Sequence, residues 1–480
     1  MNYKMIAYVL GFVLKIEAAF MTLALIVALY YKENSAWAIA ITMAVTLAVG
    51  FLLGSVKLKN KVIHAKEGLV TVALSWIVMS LLGTLPFYIS GTIPSYLDGF
   101  FEVVSGFTTT GASILTDIES LPKGILFWRS FTHWLGGMGI LVFVLAILPM
   151  TSGHSLHLMR AESPGPETGK LVPNMAKTAK ILYTIYFLMT VVEIVLLMVA
   201  GMDLYDAAVH AFGTAGTGGF SVRNASIAAY DSVAVDSIIT VFMILFGVNF
   251  SLYYLILAKN FMQAVRSEEL RIYLITIIAS MTIITFNILP MYPSITEALR
   301  FSSFQVGSII TTTGYATANT DLWPQLSKTI LILLMFFGAS AGSTGGGLKA
   351  VRILLLFKIA RRDLNKILHP NTVKIVKLDR KRVSEDTVSS VKSFFFVYLV
   401  ITALSVLLVS FDGFDIETTS TAVFACINNI GPGFGMVGAT GNYSEFSDFS
   451  KIILAFNMLV GRLEVYPMIL MFVPSVWRKA

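Results

Sequence analysis

Long apolar runs alternate with short polar ones along this chain, and the apolar runs are long enough to cross a bilayer as helices. A hydrocarbon core about 30 Å thick is spanned by roughly 20 apolar residues. That rule predicts ten spans, at about 5–30, 36–56, 68–90, 125–150, 178–201, 234–258, 271–290, 327–358, 392–411 and 450–474. The hydrophobic profile dips at four glycine-centred stretches: Phe107-Thr108-Thr109-Thr110-Gly111-Ala112-Ser113, Thr217-Gly218-Gly219-Phe220, Thr312-Thr313-Gly314-Tyr315 and Asn429-Ile430-Gly431-Pro432. One Thr-Gly dip reads as a turn. Four of them, about a hundred residues apart and each flanked by apolar spans, read as a repeated unit of helix, re-entrant loop and helix.

Aligned on their glycines, the dips share more than the glycine. A small residue lies six positions earlier, at Ser105, Gly213, Ser308 and Ala425, so four short helices are expected to crowd against something in common. Asp98, Asp206 and Glu417 stand where an acid would cap the start of a half-helix of about ten residues. The negative end of each half-helix would then point at its glycine, an arrangement that favours a cation. Backbone carbonyls replace a cation's hydration shell only where the chain is extended within a protein-lined, watery cavity. Glycine permits the backbone angles this needs and removes the Cβ that would crowd the axis. The filter is therefore expected at Thr109, Thr110, Gly111, Thr217, Gly218, Gly219, Thr312, Thr313, Gly314, Asn429, Ile430 and Gly431.

Composition agrees with the spans. The 480 residues are 56% hydrophobic and 13% charged, a balance for a polytopic membrane protein and not for a soluble domain. Cys426 stands alone, which excludes an intramolecular disulfide. The apolar run after Lys4 is too long for a signal-peptide core and reads as a retained helix. A net charge of +7 would point to nucleic acid in a soluble protein; here the bases lie in connectors and encode topology. Lys57, Lys59, Lys61 and Lys66, then Arg160, Lys170, Lys177 and Lys180, then Lys259, Arg266 and Arg271, and ten bases between Lys358 and Lys392, fall on one side. The loops holding the dips carry Asp98, Glu102, Asp117, Asp203, Asp206, Asp321, Asp412, Asp415 and Glu417 with few bases, which places them outside and both termini in the cytoplasm.

One span differs from the rest. Gly338-Ala339-Ser340-Ala341-Gly342-Ser343-Thr344-Gly345-Gly346-Gly347 cuts it in half, and each glycine costs a helix about 1 kcal/mol. The spacing is wrong for a phosphate-binding loop, since Leu348 follows Gly347. The apolar run from Val351 to Phe357 argues against a cytoplasmic loop. An intramembrane loop under the filter remains, a gate formed by Gly338, Gly342, Ser343, Thr344, Gly345, Gly346 and Gly347. Arg462 is expected mid-membrane in the last span, where an unpaired charge costs at least about 2.5 to 3.5 kcal/mol. It is expected to donate to the carbonyls of the 338–347 loop, with Glu464 a poor partner on another face. Lys15, Glu17 and Glu193 read as packing or subunit contacts, and His133 and Trp134 as tight packing beside Gly136-Gly137-Met138-Gly139. Six scattered histidines lack metal-ligand spacing, and no nucleophile and base share a face, so an enzyme is not expected.

The chain resembles the TrkH/TrkG potassium-uptake subunits, in the superfamily with KtrB and the plant and fungal high-affinity potassium transporters. The residues carrying the resemblance are Gly106 to Ala112, His133-Trp134-Leu135-Gly136-Gly137-Met138-Gly139, Ala161-Glu162-Ser163-Pro164-Gly165, Ala341 to Lys349 and Asn428-Asn429-Ile430-Gly431-Pro432-Gly433. It implies an all-α integral membrane fold of four M1-P-M2 repeats around one pore plus two extra N-terminal helices. On this chain that divides as 1–67, then repeats at 68–158, 159–262, 263–365 and 366–480. It implies potassium as the transported ion, held at Thr110, Gly111, Gly218, Gly219, Thr313, Gly314, Ile430 and Gly431, with no organic cofactor in the chain. It also implies a homodimer in the bacterial inner membrane and a cytoplasmic TrkA-type ring that binds NAD or ATP, docked on the basic connector. Gly111, a serine in some sodium-passing plant relatives, fits the potassium-permeable type. No repeat has a full TVGYG run, so discrimination against rubidium and sodium is expected to be looser. The alternative is a proton- or sodium-coupled potassium symporter, for which inverted repeats and midmembrane acids would be expected.

Overall fold

The computed structural model describes residues 1–56, 65–139, 175–372 and 374–477. The second half of the expected 125–150 span, the 161–165 motif and Lys57, Lys59, Lys61, Arg160, Lys170, Arg478 and Lys479 lie outside the described residues.

The chain is an all-α integral membrane protein. Two helices come first, α1 (Tyr3–Tyr30) and α2 (Ala36–Gly54). They meet backbone to backbone: a Cβ on Gly11 would stand 2.4 Å from the Gly54 nitrogen, so small residues set their approach. Next come α3 (Ala65–Gly83) continuing as α4 (Leu85–Ile89), the short α5 (Tyr96–Phe107) and α6 (Lys123–Gly137). The same sequence of long helix, short helix, loop and second helix follows three more times. The first repetition is α7 (Met175–Val199), α8 (Leu204–Gly216), α9 (Val233–Phe246) and α10 (Phe250–Leu257), trailed by α11 (Phe261–Val265). The next is α12 (Glu268–Ile288), α13 (Ile295–Ile310), α14 (Gln325–Phe337) and α15 (Ala350–Leu368), trailed by a hairpin of β1 (Lys377–Leu378) and β2 (Lys381–Arg382). The last is α16 (Glu385–Val409), α17 (Ile416–Ile427), α18 (Asp448–Arg462) and α19 (Tyr466–Met471).

Among the described residues, six helical spans are long and apolar enough to cross a membrane, and α9 with α10 makes a seventh bent by 90°. The short helices start as local chemistry dictates. Ser95, Ser294 and Asp415 accept from the backbone nitrogens of Asp98, Glu297 and Thr418. The sequence-expected caps Asp98 and Asp206 therefore sit in the first turn, with Ser95 and Asp203 at the caps, and Glu417 likewise follows Asp415.

Among the described residues, the break expected only in the third unit also occurs in the second and the fourth. Alpha-helix α9 stops before Gly247, α14 before Gly338 and α18 at Arg462, where Glu464 and Val465 have φ of +59° and +68°. Close approach explains it. A Cβ on Gly136 would stand 1.8 Å from the carbonyl oxygen of Phe107, and one on Gly461 2.1 Å from that of Ile427. Both carbonyls belong to the last residue of a short helix. Helices α6 and α18 thus run in against the ends of their own short helices where only glycine lets them arrive, whereas a Cβ on Gly247 would stand 2.3 Å from the Tyr273 hydroxyl and one on Gly338 2.7 Å from the Gly346 carbonyl oxygen.

Candidate ion pathway

The four short helices end identically. The residue two before each key glycine is left-handed, with φ of +55° at Thr109, +55° at Thr217, +61° at Thr312 and +55° at Asn429. Its backbone nitrogen donates to the carbonyl three residues back, at 3.1, 3.0, 3.1 and 3.3 Å respectively. The next nitrogen, of Thr110, Gly218, Thr313 or Ile430, donates to the carbonyl of Ser105, Gly213, Ser308 or Ala425 at 2.8 Å in every case. This pair of bonds is a Schellman cap, which normally places glycine at the left-handed position. Here three threonines and an asparagine occupy it, at a cost of order 1–3 kcal/mol each. The small residues six before the glycines are therefore acceptors of the cap as well as points of crowding: a Cβ on Gly213 would lie 2.1 Å from the Tyr315 hydroxyl.

The glycines follow with φ of +83° at Gly111, +77° at Gly219, +83° at Gly314 and +93° at Gly431. They form a closed ring. A Cβ on Gly111 would stand 2.0 Å from the Gly218 carbonyl oxygen, on Gly219 2.1 Å from that of Thr313, on Gly314 2.0 Å from that of Ile430, and on Gly431 2.6 Å from that of Thr110. Each unit thus touches the next in chain order, and the fourth returns to the first. All four glycines line one cavity of about 90 Å³.

A buried ion pair that sequence reasoning missed supports this cavity. Arg129 Nε lies 2.6 Å from Glu102 Oε1 with both side chains almost wholly buried. The guanidinium also donates to the Ser221 carbonyl at 3.0 Å and to Ser113 Oγ at 3.1 Å. Glu102 accepts from Ser113 Oγ and from the Ile114 nitrogen, both at 2.9 Å. Ser113 and Ser221 each stand two residues past a ring glycine, so the pair ties the first quarter to the second. Glu102 thus does not belong with the acids of the exposed loops. The available signal was a lone base and a lone acid in neighbouring apolar stretches. His133 also does more than pack: its Nε2 accepts from the Phe220 nitrogen at 3.2 Å, which leaves Nδ1–H to donate to the Gly106 carbonyl at 2.7 Å.

Ion pairs link the starts of the helices around the ring. Lys451 of α18 meets Asp98 of α5 at 2.7 Å, Lys328 of α14 meets Glu417 of α17 at 2.9 Å, and Asp236 of α9 meets Arg300 of α13 at 2.7 Å. On the loops, hydrogen bonds from Asn224 and Ser120 hold the Asp117 carboxyl below the usual carboxylate range.

On the other side of the ring, residues 338–349 form a buried loop between α14 and α15, with φ of +68° at Gly338, +69° at Gly342, +75° at Gly347 and +72° at Lys349. It presses on the ends of two short helices. The Gly346 nitrogen donates to Thr312 Oγ1 at 2.6 Å. A Cβ on Gly346 would stand 2.3 Å from the Asn428 carbonyl oxygen, and one on Gly345 2.9 Å from that of Thr311. Ser343 Oγ donates to the Ser340 carbonyl at 2.6 Å, Thr344 Oγ1 to the Phe246 carbonyl at 3.3 Å, and the Ala341 nitrogen to Glu269 at 2.6 Å. Lys349, buried and not singled out from the sequence, donates to the Gly345 carbonyl.

Arg462 joins these parts. It is the last residue of α18 and not mid-helix, because α18 breaks there. Its guanidinium donates to the Thr344 carbonyl at 2.8 Å, to Thr109 Oγ1 at 3.2 Å and to the Gly137 carbonyl at 2.6 Å, and also to the Gly136 carbonyl. Glu464 pairs with Arg352 instead. Glu17 and Glu193 are fully buried within the chain, so they make packing and not subunit contacts.

Fold and ring together define an integral membrane protein of the cation-transport class, and the TrkH family model, described as a cation transport protein, matches residues 35–479. The chain is 37% identical to the Trk system potassium uptake protein TrkH of Escherichia coli strain K12 over 100% of both chains. It is 32% identical to the TrkG protein of that strain over 99% of each. The fold matches the crystal structure of the potassium transporter TrkH from Vibrio parahaemolyticus with a TM-score of 0.89, at 32% identity and 100% coverage of both chains. The chain belongs to the TrkH family.

Proposed function

We propose that this protein takes up potassium through a pore along the axis of the glycine ring, with the units at 68–158, 159–262, 263–365 and 366–480 as four pore repeats. The carbonyl oxygens of Thr110, Gly218, Thr313 and Ile430, with those of Gly111, Gly219, Gly314 and Gly431, replace the ion's water. The observation that carries this reading is the closed ring of contacts from each glycine to the carbonyl of the next unit. Four equivalent sets of carbonyls around one axis offer a cation a substitute hydration shell. The relatives named for potassium uptake support the choice of ion.

The 338–347 loop is the gate and Arg462 its latch. A guanidinium bound to carbonyls on both sides of the path repels cations and holds the loop under the ring. Thr109 and Thr312, the left-handed residues, take hydrogen bonds from Arg462 and from the Gly346 nitrogen, so withdrawal of the loop also frees the ring. A homodimer in the bacterial inner membrane, with cytoplasmic termini and a TrkA-type nucleotide-binding ring as regulator, completes the proposal. Reconstitution into liposomes tests it: unitary potassium currents are expected, whereas strict proton or sodium coupling with slow turnover would establish the symporter.

A further inference from the structure

A cavity of about 640 Å³ opens between α10, α11, the start of α12 and the β1–β2 hairpin, a volume typical of small-ligand sites. Its charged lining is lopsided: Lys259, Arg266, Arg271, Arg380, Lys381 and Arg382 against Glu268 and Asp379. Both acids are already engaged. Glu268 pairs with Lys358, and Asp379 Oδ1 accepts from the Glu268 nitrogen at 2.7 Å. Arg271 folds back on the carbonyl of Arg266 at 2.6 Å. Among the described residues no carboxylate pairs with Lys259, Arg266, Arg380, Lys381 or Arg382.

The hairpin that brings three of these bases is held in an unfavourable way. Its two-residue turn is Asp379-Arg380, left-handed at both positions with φ of +48° and +66°. Such turns ordinarily take Asn-Gly, so this hairpin carries Arg380 at a strained position on the rim of the cavity. Two segments more than a hundred positions apart in sequence, 259–271 and 380–382, thus converge their bases on one space. Beside it the apolar side chains of Leu257, Phe261, Met262 and Val265 stand exposed, and Met262 itself lines the cavity. A ligand matching both halves carries an anionic head rich in oxygen acceptors and hydrocarbon beside it.

We propose that this cavity binds the phosphate headgroup of an anionic phospholipid, with the acyl chains along Leu257, Phe261, Met262 and Val265. Basic pockets between membrane helices hold such headgroups by charge and hydrogen bonding. The bound lipid also bears on the loop, because Arg266 and Arg271 flank the turn whose Glu269 accepts from the Ala341 nitrogen at 2.6 Å. This second part rests on the gate reading above; the binding does not.

The test uses the full-length protein and the hairpin variant Arg380→Gln, Lys381→Gln, Arg382→Gln, whose three side chains are exposed. Native mass spectrometry from detergent doped with phosphatidylglycerol or phosphatidylcholine reads the retained lipid. The wild type is expected to retain phosphatidylglycerol about tenfold over phosphatidylcholine, and the variant to lose that preference. Millimolar inorganic phosphate should leave the lipid in place; displacement would make free phosphate the ligand and overturn the lipid assignment. Equal retention of the two lipids, or a preference unchanged in the variant, overturns the site, and the latter is what a docking patch for an acidic soluble protein would give. Potassium flux is then compared in liposomes with and without phosphatidylglycerol. Dependence on that lipid in the wild type and not in the variant supports the link to the gate. Lost lipid retention with flux unaffected by lipid overturns the link alone, and absence of flux in every liposome counts against the pore reading instead.

Discussion

The ring and the loop beneath it are built on opposite principles. Around the ring, four units contribute the same cap, a left-handed residue at the same position and a glycine of like φ. Beneath it, one unit contributes a buried glycine-rich loop, and a single arginine from the last unit ties that loop to the first. Holding an ion on an axis requires equal dipoles from every side, so repetition is the economical solution. Closing a path requires one element that can leave, and four equal elements would have to leave together.

Substitutions break this comparison in order of expected effect. Gly219→Ser or Gly314→Ser adds a Cβ about 2 Å from a neighbouring carbonyl oxygen, at a positive φ. Potassium flux or its selectivity over sodium should fall about a hundredfold, the equivalent of about 3 kcal/mol, as read by ion flux into liposomes. Wild-type selectivity in the single serine variants of all four ring glycines, Gly111, Gly219, Gly314 and Gly431, would mean that the ring is not the filter. Glu102→Gln leaves Arg129 buried without its counter-charge and should cost about 3 kcal/mol of stability, since the amide oxygen still accepts a hydrogen bond. Thermal unfolding in detergent reads this, and the double replacement Glu102→Leu with Arg129→Met should recover most of it.

Arg462→Ala tests the loop side. Basal potassium flux should rise several-fold while selectivity stays as in the wild type, since the ring keeps its carbonyls; unchanged flux would show that Arg462 only packs. Thr312→Val, which removes the acceptor of the Gly346 nitrogen but keeps the shape, should raise flux less. The smallest effect belongs to Lys328→Ala. Its pair with Glu417 is partly solvent-exposed, so the loss should stay below about 1 kcal/mol, and flux should not change.

Much of this was legible in the chain because it depends on local composition. Apolar length marks the spans, glycine and threonine mark the dips, and a glycine run marks the broken segment. The caps of three short helices lie two or three positions before the acids expected there, since Ser95, Asp203 and Asp415 take them in place of Asp98, Asp206 and Glu417. The break of the second helix was missed at α9 and α18, where one glycine, Gly247 or Gly461, does what the third unit does with five. A single glycine is tolerated in a helix, so its effect depends on what lies opposite it.

The sequence alone determined that the chain crosses a membrane, and it placed a glycine-centred polar dip between apolar stretches four times along the chain. These follow from periodicity and from the exclusion of unpaired backbone from lipid. Only the tertiary structure decided that each glycine faces the carbonyl of the next unit, that Arg129 and Glu102 tie two quarters together, and that Arg462 reaches the loop, α6 and Thr109 at once. Those contacts join residues up to 353 positions apart, and nothing in local sequence encodes which distant carbonyl a side chain will meet.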